Sequence, residues 1–153
     1  MSARVRDVVR DVVAEVAPDE VLLLDKLANL DEGRVTRLFA RTVEDGEPYE
    51  CGHVDVTAPV TPVVWLALDE AARSTTCRTA DRRTARRKPL LRHLFRRPAR
   101  PAPELRCLSA AQLDAVRHLV HAHAHSARLG EDAAQALADS VVSRLALELT
   151  DAS

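Results

Sequence analysis

The sequence predicts an all-α protein: a helical bundle of about four N-terminal helices and a C-terminal antiparallel helical hairpin, joined by a basic Arg/Pro-rich linker. Apolar residues recur at helical spacing through most of the 153 residues. The chain has only 4 glycines, too few for the tight turns of many short strands. Aromatic residues make up 3% of it, so we expect a core of valine, leucine and alanine.

The first helix is predicted from about Arg4 to Val16, where six valines form one continuous stripe. Because a branched Cβ loses rotamer freedom in a helix, we expect this helix to depend on tertiary packing. Pro18, followed by two acids, is typical of a second helix start. The run from Val21 to Leu30 is apolar on several sides, which predicts that the second helix is the most buried one.

Asp31 predicts the cap of a third helix that ends near Val43. The stretch 45–60 contains glycine and proline, so it predicts a loop, with a short extended piece at 54–57.

A fourth helix is predicted from Thr61, which precedes a proline, to about Ser74. Trp65 is expected to anchor this helix in the core. Asp69 and Glu70 are expected on its surface, where solvated carboxylates beside arginines form ion pairs of small net value.

The C-terminal part predicts an antiparallel hairpin of two helices. Ser109 is the predicted cap of the first, which ends near Arg128, and Gly130 is the predicted break. The second helix is predicted from Glu131 to about Leu149. Because two helices alone bury little apolar surface, the hairpin is expected to dock on the first four helices or on a partner.

The formal net charge of −1 conceals a strong separation of charge. Residues 78–100 contain ten basic residues and one acid, Asp81, so the rest of the chain is acidic. The predicted organisation is a bundle at 1–75, a basic, partly disordered linker with a short amphipathic helix at 76–104, and the hairpin at 105–150.

The basic residues 78–100 are the strongest functional signal in the sequence. Clustered cations bind nucleic-acid phosphates or an anionic membrane surface, and a basic amphipathic helix also docks in protein grooves. The alternatives are a solvated linker and a segment that folds back onto the acidic body. The predicted apolar contacts with a partner are Leu90, Leu91, Leu94 and Phe95. The predicted cationic contacts with a partner or nucleic acid are Arg82, Arg83, Arg86, Arg87, Lys88, Arg92, Arg96 and Arg97.

A histidine face is the second signal. Asp114, His118, His121 and His125 recur at i, i+4, i+7 and i+11, which places them on one side of the fifth predicted helix. Imidazoles at such spacing chelate Zn²⁺, Ni²⁺ or Cu²⁺. The alternative is an exposed polar face opposite the apolar face of the same helix.

No pattern in the sequence predicts catalysis, and the 4 scattered glycines form no phosphate-binding loop. We therefore interpret the chain as a non-enzymatic adaptor or regulatory module that binds another protein and uses no cofactor. A nucleic-acid-associated protein that binds through residues 78–100 is the first alternative. A metal-binding protein that uses the histidine face is the second. Homo-oligomerisation is left open.

The composition also predicts a cytoplasmic location. The 3 cysteines are an odd number and widely spaced, as expected of reduced thiols. The N-terminal residues have no signal-peptide pattern, and no stretch is apolar enough for a membrane span. Arginine dominates over lysine, which occurs only at Lys26 and Lys88, and this bias favours a GC-rich bacterial source.

Overall fold

The computed structural model describes residues 3–45, 49–50, 55–56, 60–84, 104–105 and 108–150. Helices contain most of these residues, which confirms the predicted all-α class. The helices are α1 (Val5–Val16), a 3₁₀ turn (Pro18–Glu20), α2 (Val21–Lys26), α3 (Glu32–Asp45), α4 (Val60–Thr84), α5 (Ala110–Ser126) and α6 (Glu131–Thr150). Two short antiparallel pairs join β1 (Ala3–Arg4) to β4 (Glu104–Leu105) and β2 (Tyr49–Glu50) to β3 (Asp55–Val56).

Helix α4 is the centre of the bundle. Every residue from Thr61 to Asp69 is buried, and α1, α3 and α5 all pack against this helix. Trp65 meets the ring of Phe39 from α3 edge-on, with 5.9 Å between the ring centroids. The valine stripe of α1 is buried at positions 5, 8, 9, 12 and 13, as its spacing predicts. Trp65 is therefore the core anchor that the sequence predicts.

The prediction that the second helix is the most buried one is wrong. Helix α2 is only one and a half turns long, and it buries Leu23 and Leu24 while Leu22 is 68% exposed. The run is apolar on several sides, so its pattern does not indicate which side faces a neighbour. Pro18–Glu20 forms a separate 3₁₀ turn before it. The central position belongs to α4 because three other helices surround it.

Helix α4 also continues past its predicted end at Ser74, as far as Thr84. The residues after Ser74 lose the apolar pattern, which is why the sequence predicts an end there. However, no glycine or proline occurs between Pro62 and Pro89, so nothing in the covalent structure stops the helix. Residues 76–84 of the predicted linker are therefore helical.

Helices α5 and α6 pack closely against each other, which is consistent with the predicted hairpin. Ser109 caps α5 as predicted: its hydroxyl accepts from the Gln112 N–H at 3.3 Å, and the Gln112 side-chain oxygen accepts from the Ser109 N–H at 2.7 Å. Helix α5 packs on α4 and α6 packs on α1. The hairpin therefore docks on the N-terminal helices of its own chain, and both share one hydrophobic core.

No helix in the described ranges is both long enough and apolar enough to cross a bilayer.

Candidate functional site

The first residues of the predicted basic site lie on α4. Arg82 and Arg83 belong to the final turn of this helix. The other predicted contacts lie outside the described residues, namely Arg86, Arg87, Lys88, Leu90, Leu91, Arg92, Leu94, Phe95, Arg96 and Arg97.

The two elements that flank residues 85–103 belong to the same bundle. On one side, α4 emerges from the centre of the core. On the other side, β4 pairs with β1 in the register Ala3 to Leu105 and Arg4 to Glu104. Leu105 is buried in the common core. Residues 85–103 therefore connect two parts of one body, whereas the sequence predicts a linker between a bundle and a hairpin.

All the Asp, Glu, Lys and Arg residues within 85–103 are basic. Residues 85–103 contain no carboxylate. Their cations are Arg86, Arg87, Lys88, Arg92, Arg96, Arg97 and Arg100. All the acids of the chain therefore lie outside this range.

The predicted histidine face is on α5. The His118 ring nitrogen Nδ1 lies 2.8 Å from the Asp114 carbonyl oxygen of its own helix, and the side chain is 77% exposed. His121 lies 4.0 Å from a carboxylate oxygen of Glu131 at the start of α6. His125 is exposed. Within the described ranges, no three His, Cys, Asp or Glu side chains are grouped as a metal ion requires.

His123 is not part of the predicted histidine face, but it contacts another helix. His123 Nε2 lies 3.1 Å from Glu70 Oε2, and this contact joins α5 to α4. On the same hairpin, Arg117 of α5 forms an ion pair with Asp139 of α6. Hydrogen bonds from Gln135 and Arg117 lower the pKa of Asp139.

A polar cluster between α3 and α4 is the main feature that the sequence does not predict. The expectation that Asp69 is solvated is wrong, because its side chain is only 6% exposed. Its carboxylate forms an ion pair with Arg73, whose Nε lies 2.8 Å from Asp69 Oδ2, and the Thr36 side chain acts to lower the pKa of Asp69. The Trp65 indole N–H donates to Thr36 Oγ1 at 3.0 Å. Thr36 of α3 thus interacts with both Trp65 and Asp69 of α4.

Glu32 lies one turn before Thr36 on α3, and the charge of Asp69 acts on its carboxyl. Its carboxyl oxygen Oε2 is buried and has no hydrogen-bond partner among the described residues. Arg6 lies nearby, with its guanidinium carbon 5.7 Å from the centroid of the Trp65 ring. The guanidinium donates to the carbonyls of Ala28 at 2.6 Å and of Leu30 at 2.9 Å. Arg6 therefore holds the chain between α2 and α3 in place.

Burial is the largest influence on both carboxyls of the cluster. Burial raises the pKa of Asp69, although Arg73 and Thr36 act in the opposite direction. Burial also raises the pKa of Glu32, where the charge of Arg6 opposes it and the charge of Asp69 adds to it. These shifts favour the neutral, protonated form of each carboxyl.

The sequence contains a signal for this cluster. Trp65, Asp69 and Arg73 recur at i, i+4 and i+8, and Glu32 and Thr36 repeat the same spacing on α3. Asp69 also interrupts an otherwise apolar stretch. Each feature is also typical of an exposed helix face, so only the packing of α3 on α4 distinguishes the two cases.

No protein-family model, no curated protein and no solved structure matches this chain.

Proposed function

We propose that the protein is a non-enzymatic adaptor or regulatory module that binds another protein through residues 78–100. The observation that supports this best is the attachment of residues 85–103 to the core at both ends, through α4 and through β4. Connections longer than about 12–15 residues are uncommon in compact domains, and they are usually either functional or linker segments. Because the elements on both sides of this segment belong to the bundle, we expect a partner that binds the segment to contact the bundle as well.

The chemistry of the segment indicates the kind of partner. Its cations suit an acidic surface, which increases the association rate and selects against basic partners. The spacing of Leu90, Leu91, Leu94 and Phe95 suits an apolar groove that receives one face of a short helix. We therefore propose an acidic partner with such a groove. On composition, we place this system in a bacterial cytoplasm.

The test is a native pull-down of the tagged full-length chain, run with and without nuclease. The segment variant carries Arg→Gln at positions 82, 83, 86 and 87. A matched control removes the same charge from exposed positions of the bundle, with Gln at Lys26, Arg34, Arg41 and Arg128.

We expect a stoichiometric protein partner that persists after nuclease, is retained by the control and is lost by the segment variant. A partner that both variants retain equally would contradict docking through residues 78–100. Loss from both variants alike would indicate that only the net charge matters.

A nucleic-acid-associated protein is the second candidate, and the density of cations in residues 78–100 supports it. In that case the wild-type chain binds a DNA or RNA oligonucleotide in fluorescence anisotropy, and affinity falls steeply between 50 and 200 mM salt, by about 10³-fold for six phosphate contacts. The segment variant then shows a shallower salt dependence than the control. Binding that is insensitive to salt, or equal in both variants, rejects this candidate.

A further inference from the structure

The outer side of α3 carries three exposed arginines, Arg34, Arg37 and Arg41. They recur at i, i+3 and i+7, so they lie on one side of the helix and span about 10 Å along its axis. Arg37 Nε donates to the Gly33 carbonyl of its own helix at 3.1 Å. In the part of the chain that the structure describes, none of the three forms an ion pair with a carboxylate. We call these residues the α3 basic face.

Arginines on the other helices already have carboxylate partners within the chain. The pairs are Arg10 with Asp25, Arg73 with Asp69, Arg117 with Asp139 and Arg144 with Asp11. A guanidinium presents its donors in a planar fork that matches a carboxylate. The three guanidiniums of the α3 basic face are therefore suited to carboxylates from another molecule.

Helix α1 presents the opposite charge on its outer side. Asp7, Asp11 and Glu15 are exposed and recur at i, i+4 and i+8, which spans about 12 Å along the axis. Asp11 is paired with Arg144 of α6, whereas Asp7 and Glu15 have no ion pair with the described residues. The valines on the other side of α1 are buried, so these carboxylates point away from the core. We call them the α1 acidic face.

The two faces are complementary in an antiparallel register. The exposed charges at positions 4, 7, 11 and 15 are plus, minus, minus and minus, and those at positions 44, 41, 37 and 34 are minus, plus, plus and plus. The two series differ by one residue at one end, or about 1.5 Å, which a long arginine side chain can span. The matched positions are Arg4 with Glu44, Asp7 with Arg41, Asp11 with Arg37 and Glu15 with Arg34.

Within one chain α1 and α3 run in the same direction, because each is antiparallel to α4. On α3, Phe39 meets Trp65, and the charge of Asp69, one turn further along α4, acts on the earlier residue Glu32. On α1, Arg6 lies over Trp65, and the turn after α1 contacts the start of α4. A two-fold axis perpendicular to these helices reverses one copy. It therefore makes α1 of one copy antiparallel to α3 of the other, as the register requires.

We propose that the protein self-associates, with the α3 basic face of one copy packed antiparallel on the α1 acidic face of a second copy. Exposed ion pairs contribute little each and are screened by salt, so the association is weak and is strongest at low ionic strength. Nucleic acid suits the α3 basic face less well, because exposed Asp31 and Glu44 at its two ends would repel a continuous polyanion. This self-association is independent of the proposed docking function.

The experiment is sedimentation velocity of the full-length chain in about 20 mM and about 500 mM NaCl. A basic-face variant carries Arg34→Glu and Arg41→Glu, and an acidic-face variant carries Asp7→Arg and Glu15→Arg. The matched control carries Lys26→Glu and Arg128→Glu, which change the net charge as the basic-face variant does but at exposed positions elsewhere. Helical circular dichroism checks that every variant is folded.

We expect the weight-average mass of the wild type to exceed the 16.8 kDa of one chain at low salt and to return to it at high salt. Each face variant alone should stay monomeric, whereas the control should still associate. An equimolar mixture of the two face variants should associate again, because every matched position then has opposite charges. The acidic-face variant mixed with the control has the same total charge but half of the complementary faces, so it should associate less.

Three results would overturn the proposal. The first is a wild type that is monomeric at low salt, and the second is a control that loses association as completely as the face variants do. The third is a mixture of the two face variants that associates no more than the mixture with the control. A monomeric wild type that binds a labelled DNA duplex through the same arginines would assign the α3 basic face to nucleic acid instead.

Discussion

Arg128 occupies a conformation that glycine usually adopts. Its φ is 59°, the only positive φ of a non-glycine residue in the described part of the chain. The Leu129 N–H donates to the Ala124 carbonyl at 2.9 Å, and the Arg128 N–H donates to the His125 carbonyl at 3.0 Å. These two bonds define a Schellman motif with arginine at its left-handed position. Leu129 packs against the core. This contact stabilises the turn, although an arginine rather than a glycine has the left-handed conformation.

Gly130, which the sequence predicts as the break in the hairpin, has another role. Its carbonyl accepts from the Ala134 N–H at 2.9 Å, the first hydrogen bond of α6. The break therefore comes from the Schellman motif at Arg128, supported by the packing of Leu129, rather than from the glycine itself.

Arg128→Gly should stabilise the protein by about 1 kcal/mol, because the left-handed conformation costs an L-residue roughly that amount. Urea unfolding measures the change. Arg41→Gly is the control, since the same substitution at an exposed position inside α3 should cost about 1 kcal/mol. If both variants lose stability equally, Arg128 does not have the left-handed conformation.

The N-terminus of α4 is capped by a residue from another part of the chain. The carboxylate of Glu20 accepts from the Thr61 N–H at 2.7 Å, the Thr61 hydroxyl at 2.6 Å and the Val60 N–H at 3.4 Å. It therefore caps the N-terminus of α4 from the 3₁₀ turn before α2. The sequence assigns Glu20 to the start of its own helix, because a local pattern does not show a cap that is forty residues away.

Glu20→Ala should destabilise the protein by about 1–3 kcal/mol, since it leaves buried donors at the start of α4 without an acceptor. The free energy of unfolding in urea is the measurement. Glu15→Ala, at an exposed position of α1, should change stability by less than about 0.5 kcal/mol. Equal effects of the two substitutions would show that the cap does not contribute.

Ion pairs link neighbouring helices around the bundle. Arg10 pairs with Asp25 between α1 and α2, and Arg144 pairs with Asp11 between α6 and α1. These side chains are partly exposed, so each pair has a small net value for stability. Their importance is in orientation, because opposite charges at these positions favour this arrangement of helices over others.

At the scale of the whole molecule, the hairpin and the N-terminal helices form a single core. Buried residues of α5 and α6, such as Val120 and Leu137, belong to the same cluster as Trp65 and the valines of α1. Small domains with one core usually unfold in a single cooperative transition.

Leu137→Ala should cost about 2–5 kcal/mol and should shift the unfolding transition of Trp65 fluorescence as much as that of helical circular dichroism. Leu137 is on α6 and Trp65 is on α4, so equal shifts require one cooperative unit. Leu147→Ala, on the 61% exposed leucine of the same helix, is the control and should cause little change. A shift confined to part of the circular dichroism signal would indicate that the hairpin unfolds separately.

The sequence by itself determined the local features of this protein. The valine spacing of α1, the Ser109–Gln112 cap and the ends of α3 near residues 32 and 45 all follow from residues close together in the chain. The separation of charge follows from the order of residues in the chain, so it was also predictable without a fold.

Only the tertiary structure decided which helix is central, that Asp69 is buried, that one oxygen of Glu32 is buried and that the hairpin docks on its own chain. Each of these depends on contacts between residues that are far apart in the sequence. An amphipathic pattern shows that a face is apolar, but it does not show which other face covers it. A polar residue beside that face is therefore equally compatible with solvent and with a buried cluster, until the neighbouring helix is in place.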